Sequence, residues 1–229
     1  MYQGSCPVCT WNDFRYQPVL WDELIAEWQL SPEEALYINR QQGLSCSNCG
    51  CNLRSMALAG AINSFLGWGG SFREYANSEK AAGLAILEIN EAGTLTPILK
   101  QFPRHQLIQF PDANIHDLKL PSESFDLVVH SDTLEHVEHP VRGLAECLRV
   151  LKPGGACCFT IPVVVGRLTR NRTGLPPSYH GNPNNASDDL KVRTEFGADF
   201  WAYAFEAGFS RLEINALEYP SGLAITLWR

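Results

Sequence analysis

The chain of 229 residues carries a formal net charge of −7, and 45% of its residues are apolar. This length suffices for one α/β domain with a small appendage. The acidic balance disfavours a nucleic-acid partner, because binding to phosphates would release few counterions. The longest apolar runs are far shorter than the roughly 20 residues that span a bilayer. Since no apolar signal segment opens the chain either, we expect no membrane partner and a cytoplasmic location.

The cysteines are concentrated in the N-terminal part, because five of the eight lie within the first 51 residues. This asymmetry indicates a local use and not a disulfide framework. Two CxxC pairs have the spacing of a structural zinc site: Cys6 with Cys9, and Cys46 with Cys49. Two thiolates on a tight turn can reach one tetrahedral ion, and four thiolates close its coordination sphere. The alternatives are two unrelated turns with free thiols, a redox pair, or Cys51 as the ligand in place of Cys49.

Helices are predicted between the two cysteine pairs and after them. Apolar residues at helical spacing predict a helix over 20–28, and the Ser-Pro-Glu-Glu start at 31–34 predicts a second one. A third is predicted over 54–66, where one face is apolar. We therefore predict a zinc-binding module with its linking helix over residues 1–70 and a second domain over residues 71–229.

The second domain alternates strands with helices. Strands are predicted at 84–89, 106–110, 125–130 and 156–161, and helices at 94–101, 140–150 and 196–207. This alternation implies βαβ units and a mostly parallel sheet. Two final strands, 211–218 and 223–228, are joined by a tight turn, so the last strand should run antiparallel. Residues 163–190 show little periodicity, which is typical of a functional lid or a disordered loop.

One run of this domain is distinctive. The segment 124–137, SFDLVVHSDTLEHV, is followed by LAECLRVLKPGG at 144–155. Together they closely resemble class I S-adenosylmethionine (SAM) dependent methyltransferases of the "methyltransferase type 11" kind, and the resemblance covers roughly residues 84–229. It implies a SAM-dependent enzyme of the α/β class. The sheet would be Rossmann-like and mostly parallel with an antiparallel last strand, beside the small N-terminal zinc-binding helical module. Glu88 and Asp126 are closer in sequence than this family usually has them, so one strand–helix unit should be missing.

The resemblance also implies which residues hold the cofactor, outside the carboxyl ends of the strands. Glu88 would lie near the SAM amino group at the end of the first strand. The turn that follows, residues 90–94, stands where the family has GxGxG, and it keeps only one glycine. Lost glycines restrict how closely the backbone approaches a ligand. The cofactor-binding candidates are Glu88, Asn90, Gly93, Asp112 for the ribose, Asp117 and Leu118 for the adenine, and His130, Ser131 and Asp132 beside the methyl group.

Methyl transfer to a hydroxyl needs a base or good positioning, because a neutral hydroxyl is a poor nucleophile. The candidate catalytic residues are His136, His180 and Glu195; the alternatives are a capping or core histidine, a loop residue and a helix-start charge. We expect a small-molecule or carbohydrate acceptor and a monomer or homodimer. The competing function is a zinc-bearing, non-catalytic scaffold with a degenerate methyltransferase domain. A nicotinamide oxidoreductase is disfavoured, because GxGxxG is absent.

Overall fold

The computed structural model describes residues 2–179 and 187–229. The strands are β1 (Phe14–Tyr16), β2 (Leu44–Cys46), β3 (Ala85–Ile89), β4 (Arg104–Ile108), β5 (Phe125–Ser131), β6 (Leu151–Thr160), β7 (Val163–Val164), β8 (Arg170–Asn171), β9 (Thr194–Gly197), β10 (Arg211–Glu218) and β11 (Gly222–Trp228). The helices are α1 (Asp22–Glu27), α2 (Pro32–Gly43), α3 (Leu53–Phe65), α4 (Phe72–Ala76), α5 (Thr96–Leu99), α6 (Pro140–Val150) and α7 (Trp201–Glu206). None of the helices described is long and apolar enough to cross a bilayer.

Within the described residues, a six-stranded sheet has the order β10-β11-β6-β5-β3-β4. The pairs β4–β3, β3–β5 and β5–β6 are parallel, whereas β11 runs antiparallel to both its neighbours. The predicted mostly parallel sheet with an antiparallel last strand is therefore confirmed, and together the strands form a mixed sheet. From β3 the chain passes to β4 on one side and then to β5 on the other, with no strand in the described segment between them. That direct return agrees with the predicted loss of one strand–helix unit.

Helices cover both faces of the sheet, which explains why its inner strands are apolar runs without alternation. All five residues of β3 are buried. On one face, α6 turns Leu144, Cys147 and Val150 inward. On the other face lies α3, which is buried almost all round. A helix that is buried on every side needs a second layer outside it, and the N-terminal part of the chain supplies that layer.

The N-terminal part shares one core with the sheet: Val8, Leu44, Met56 and Leu127 belong to a single buried cluster. The predicted helix start at Ser31 is confirmed as a capping box in α2. Strands β1 and β2 pair antiparallel beside it. This part is connected to the second domain by the ion pairs Arg40–Glu218 (2.6 Å) and Glu34–Arg167 (2.7 Å).

The predicted helix over 196–207 is wrong at its start. Residues Thr194–Gly197 form β9, which lies between β7 and β8 in a small three-stranded sheet of the described region, and α7 begins only at Trp201. The reason is tertiary packing: Phe196 is buried in the core, and a Cβ at Gly197 would lie 2.2 Å from the Arg167 carbonyl oxygen. A backbone contact at this distance admits only glycine. The contact joins distant parts of the chain, so the helical periodicity of residues 196–207 does not predict it.

Candidate active site

A cleft of about 590 Å³ opens at the carboxyl ends of β3, β4 and β5. Its walls include Asn90 after β3, Phe110 after β4, and Asp132 with Thr133 after β5. The strand order reverses at β3, so the cleft lies at the topological switch point, where open α/β sheets bind ligands. Its size falls within the range of about 300–1,000 Å³ that is typical of small-molecule sites.

In the turn after β3, Asn90 takes up a backbone conformation that usually favours glycine. Asn90 has φ +55°, a left-handed conformation that asparagine tolerates better than most residues. Its backbone N–H donates to the Ile108 carbonyl (2.8 Å), and its side-chain oxygen accepts from the Phe110 N–H (3.0 Å). Asn90 thereby ties the end of β3 to the end of β4. Gly93, with φ +56°, completes the turn but does not line the cleft.

We predict that Asn90→Ala destabilises the protein more than Asn90→Gly. Both variants lose the side-chain hydrogen bonds with Phe110 and Thr133, each worth about 0.5–1.5 kcal/mol. Alanine must also adopt an unfavourable backbone conformation, which costs about 1–2 kcal/mol and which glycine adopts readily. Urea denaturation of both variants measures the difference. Equal destabilisation by the two substitutions would show that this turn carries no backbone strain.

Glu88 is fully buried and organises the turn from beneath. Its carboxylate accepts from the Ala92 N–H (2.8 Å) and from the Thr96 hydroxyl (2.5 Å), and it pairs with His105 Nε2 (2.7 Å). Glu88 does not line the cleft. Glu88 therefore holds the turn after β3 in place from outside the cleft. The contact between Glu88 and the SAM amino group stays a prediction.

Asp132, at the other wall, also has a left-handed backbone (φ +47°) and forms an ion pair with Arg54 of α3. Arg54 is buried and donates a second hydrogen bond to Gln41 (2.8 Å). Burial lowers the pKa of Arg54 to about 10, and the fully buried Glu135 opposes this shift by its negative charge. Sequence reasoning missed Arg54, because an arginine on a predicted helix normally faces solvent.

The predicted catalytic residues lie in different places. His136 lines the cleft; its Nδ1 is 3.0 Å from the Lys191 carbonyl, and its Nε2 is 3.7 Å from the Glu135 carboxylate. Glu195 is outside the cleft on β9, paired with Arg170 at 2.6 Å and with Arg172. His180 lies outside the described residues. Of the described candidates, the structure brings only His136 to the cleft.

The remaining cofactor candidates flank the cleft without lining it. Asp112 and Asp117 are exposed. Leu118 is buried, and its N–H donates to Glu146. The Ser131 hydroxyl is 2.8 Å from that of Thr160 on the next strand. These four side chains keep their cofactor-binding roles as predictions.

His130 is wholly buried and stacks on Phe159 with ring centroids 4.7 Å apart. Neither ring nitrogen has a hydrogen-bond partner among the described residues. Burial lowers the pKa of His130 to about 3, against a smaller opposing effect of Glu135. In the unfolded chain, the pKa of this histidine is near 6.5. Between about pH 3 and pH 6.5, the unfolded chain therefore binds a proton at His130 that the folded protein does not bind. The free energy of unfolding therefore rises with pH across that window.

We predict that His130→Phe flattens this pH dependence. Below about pH 6.5, this histidine lowers the free energy of unfolding by about 1.4 kcal/mol for each pH unit. Between pH 7 and pH 5, the free energy of unfolding should therefore fall by about 2 kcal/mol more in the parent than in the variant. Urea denaturation at the two pH values measures the difference. Phe159→Leu is the control, because it removes the stacking partner and keeps the titrating ring; it should retain the slope. The same slope in the parent and in His130→Phe would contradict the prediction.

The four predicted zinc ligands lie together. The Sγ atoms of Cys6, Cys9, Cys46 and Cys49 are all within 4.8 Å of one another. The Cys6–Cys49 and Cys9–Cys46 pairs measure 3.6 and 3.7 Å. Tetrahedral zinc with Zn–S bonds of about 2.3 Å requires sulfur atoms about 3.8 Å apart, so the thiols fit this ion. Cys51 lies outside the quartet, and its thiol donates to the Thr94 carbonyl (3.7 Å).

Comparisons with known proteins concern mainly the central part of the chain. Residues 67–159 match the family model described as a methyltransferase domain. A protein of Mycolicibacterium smegmatis named "Probable S-adenosylmethionine-dependent methyltransferase" is 30% identical over 102 residues, 44% of this chain and 38% of that protein. The ubiquinone/menaquinone biosynthesis C-methyltransferase of Bartonella tribocorum is 34% identical over 89 residues, 37% of this chain and 34% of that protein. The chain thus spans between a third and two fifths of the length of these relatives.

Among solved structures, the chain is similar to a Thermotoga maritima protein titled "SAM-dependent methyltransferase, possible histamine N-methyltransferase". The TM-score is 0.43 at 18% identity, with 77% of this chain and 98% of that one covered.

Proposed function

We propose that this chain, which carries a SAM-dependent methyltransferase domain, transfers the methyl group of SAM to a hydroxyl of a small-molecule acceptor. The observation that carries the proposal is the cleft at the carboxyl ends of three parallel strands, because its walls carry polar side chains at the strand ends and the candidate base His136. A carbohydrate is the other acceptor class that the sequence favours. The related quinone methyltransferase acts on a small molecule by its name, which supports the small-molecule class.

The residues of the cleft fit SAM in chemical type. Asn90 and Asp132 offer polar side chains at the two strand ends, and Ile89, Ile108 and Ile115 offer an apolar surface for an adenine ring. These residues would hold SAM between β3, β4 and β5. When bound, SAM supplies a methyl group on a positively charged sulfur, ready for transfer to a nucleophile.

His136 is the proposed base. A carbonyl can only accept a hydrogen bond, so the contact with Lys191 O places a proton on Nδ1 and leaves Nε2 as the basic nitrogen. Nε2 lies 3.7 Å from the Glu135 carboxylate, whose charge would stabilise the protonated ring. His136 would therefore accept the hydroxyl proton of the acceptor as the new O–C bond forms.

We propose further that Cys6, Cys9, Cys46 and Cys49 bind a structural zinc ion. Four thiolates leave no position for water or substrate, so this ion has no part in the chemistry. Its effect on the site is positional: Cys51, beside the quartet, contacts the carbonyl of Thr94 in the turn after β3.

Isothermal titration with SAM and with S-adenosylhomocysteine tests the donor site. We expect micromolar affinity, which corresponds to about −8 kcal/mol. Ala113→Trp fills the cleft wall and should abolish binding, whereas Ala82→Trp, at an exposed position away from the cleft, should not. The altered turn at 90–94 favours one rival function, a zinc-bearing scaffold without catalysis. A folded, zinc-loaded protein that binds neither compound would overturn our proposal in favour of that scaffold.

A further inference from the structure

A second pocket, distinct from the cleft, lies between the N-terminal helices and β7 and β9. We call it the apolar pocket, and its lining includes Leu24, Trp28, Ile38, Val163 and Phe196. The Trp28 indole is held in place, because its N–H donates to the Ser178 hydroxyl (2.8 Å). The pocket is therefore built jointly by the two parts of the chain, and nothing so far assigns it a ligand.

Its size indicates what it can hold. The cavity measures about 160 Å³. An engineered protein cavity of about 150 Å³ lined by apolar side chains binds benzene. The apolar pocket thus matches one six-membered ring and is too small for a long chain or a second ring. A sugar of the same size is a poor fit, because each hydroxyl buried without a partner costs about 1–3 kcal/mol.

Part of the pocket lining is polar. Arg167 and Glu195 are paired there with Glu34 and with Arg170 and Arg172, whereas Arg54 and Thr194 are each at most 3% exposed. Arg54 Nε and the Thr194 hydroxyl have no hydrogen-bond partner among the described residues. Buried donors are nearly always satisfied in folded proteins. The two groups thus point to an oxygen atom supplied by a ligand.

The charges around Arg54 favour a neutral ligand group. Asp132 forms an ion pair with the guanidinium, and the buried Glu135 lies near enough to act on it electrostatically. Two carboxylates beside one guanidinium leave no uncompensated positive charge for an anion. A neutral hydroxyl avoids a third negative charge and can still accept from Arg54. Arg54 also connects the two sites, because its partner Asp132 lines the donor cleft.

We propose that the apolar pocket binds a neutral, single-ring hydroxy compound of the phenol class, with its oxygen on Arg54 and Thr194, as the methyl acceptor. This identification rests on the proposed function. In the reaction the acceptor oxygen forms a bond to the methyl carbon, and the S–C bond breaks with its electron pair returning to sulfur. The hydroxyl proton leaves the acceptor, and its proposed recipient is His136, which lines the adjoining donor cleft and not the apolar pocket. The products are the methyl ether, S-adenosylhomocysteine and one proton.

Fluorine NMR on the full chain tests the pocket without turnover, with three probes of similar size. We expect 4-fluorophenol to bind at least about tenfold more tightly than fluorobenzene, since one hydrogen bond to a charged donor is worth about 1.5–3 kcal/mol. The sugar 3-deoxy-3-fluoroglucose should not bind. Val163→Phe, which fills the pocket, should abolish phenol binding and keep S-adenosylhomocysteine binding. Val141→Phe on α6, outside the pocket lining, is the matched control and should change neither.

The outcomes separate the two proposals. Tight binding of the sugar, equal binding of the two aromatic probes, or undiminished phenol binding by Val163→Phe would each overturn the pocket assignment. Failure of S-adenosylhomocysteine to bind while 4-fluorophenol binds as expected would overturn the proposed function and support the pocket as a ligand site. Binding of S-adenosylhomocysteine with no response from any probe would overturn the pocket alone.

Discussion

Cys46→Ser should abolish the proposed zinc binding and destabilise the protein by more than about 4 kcal/mol, because loss of a structural metal is one of the few changes that reach this magnitude. Cys46 is fully buried on β2, and its sulfur lies 3.7 Å from that of Cys9. The region it anchors covers the outer side of α3, which contacts β10 and β11. Loss of the ion should therefore disturb the whole fold and not the N-terminal part alone. Zinc analysis by mass spectrometry together with urea denaturation measures both effects.

Cys51→Ser is the matched control. Cys51 is as buried as Cys46 but lies outside the quartet, and its thiol donates to the Thr94 carbonyl. A serine hydroxyl can make the same hydrogen bond, so the variant should keep about one zinc per chain. If Cys46→Ser retained its zinc and its stability, Cys46 would not be a ligand; if the parent protein itself contained no zinc, the quartet would be four free thiols. If Cys51→Ser lost zinc as well, the assignment of ligands within the N-terminal part would be wrong.

The elements that could be predicted from sequence were those specified by short-range chemistry. A CxxC pair places two thiols on one turn: the Thr10 N–H donates to the Cys6 carbonyl (2.8 Å), and the Gly50 N–H to the Cys46 carbonyl (3.0 Å). The capping box of α2 is specified within four residues in the same way. Strands β3 and β5 were predictable because burial on both faces makes them apolar throughout. The motif after β5 located the cleft, since carboxyl ends of parallel strands meet at one edge.

What sequence could not predict depends on contacts between distant segments. Arg54 and Asp132 are far apart in the chain, and nothing near Arg54 on α3 marks it as buried. The apolar pocket joins α1 and α2 to β7 and β9, so none of these segments encodes it alone. Glu195 was predicted as a base from its neighbours in sequence. Its pairing with Arg170 and Arg172 depends on the β8–β9 register.

Arg54→Met should destabilise the protein by about 3–5 kcal/mol, because removing the buried guanidinium leaves the fully buried Glu135 without the positive charge near it. Methionine fills a similar volume without charge, so the loss reports on electrostatics more than on packing. Methyl transfer should also fall, since Arg54 lines the apolar pocket and pairs with Asp132 in the cleft. Urea denaturation and a radiolabelled-SAM assay measure the two effects.

A double-mutant cycle with Glu135 tests whether charge is the cause. In Arg54→Met the carboxylate of Glu135, which is 0% exposed, loses the positive charge beside it. Adding Glu135→Gln removes that unbalanced charge, so the double variant should be more stable than the sum of the single effects by about 2 kcal/mol. Glu146→Gln is the control partner, because Glu146 pairs with Arg149 (2.7 Å) and not with Arg54. Its effect should add to that of Arg54→Met within about 0.5 kcal/mol. Strict additivity with Glu135→Gln as well would mean that Arg54 does not stabilise the protein through the charge of Glu135, and the argument for a neutral ligand group on Arg54 would lose one of its two carboxylates.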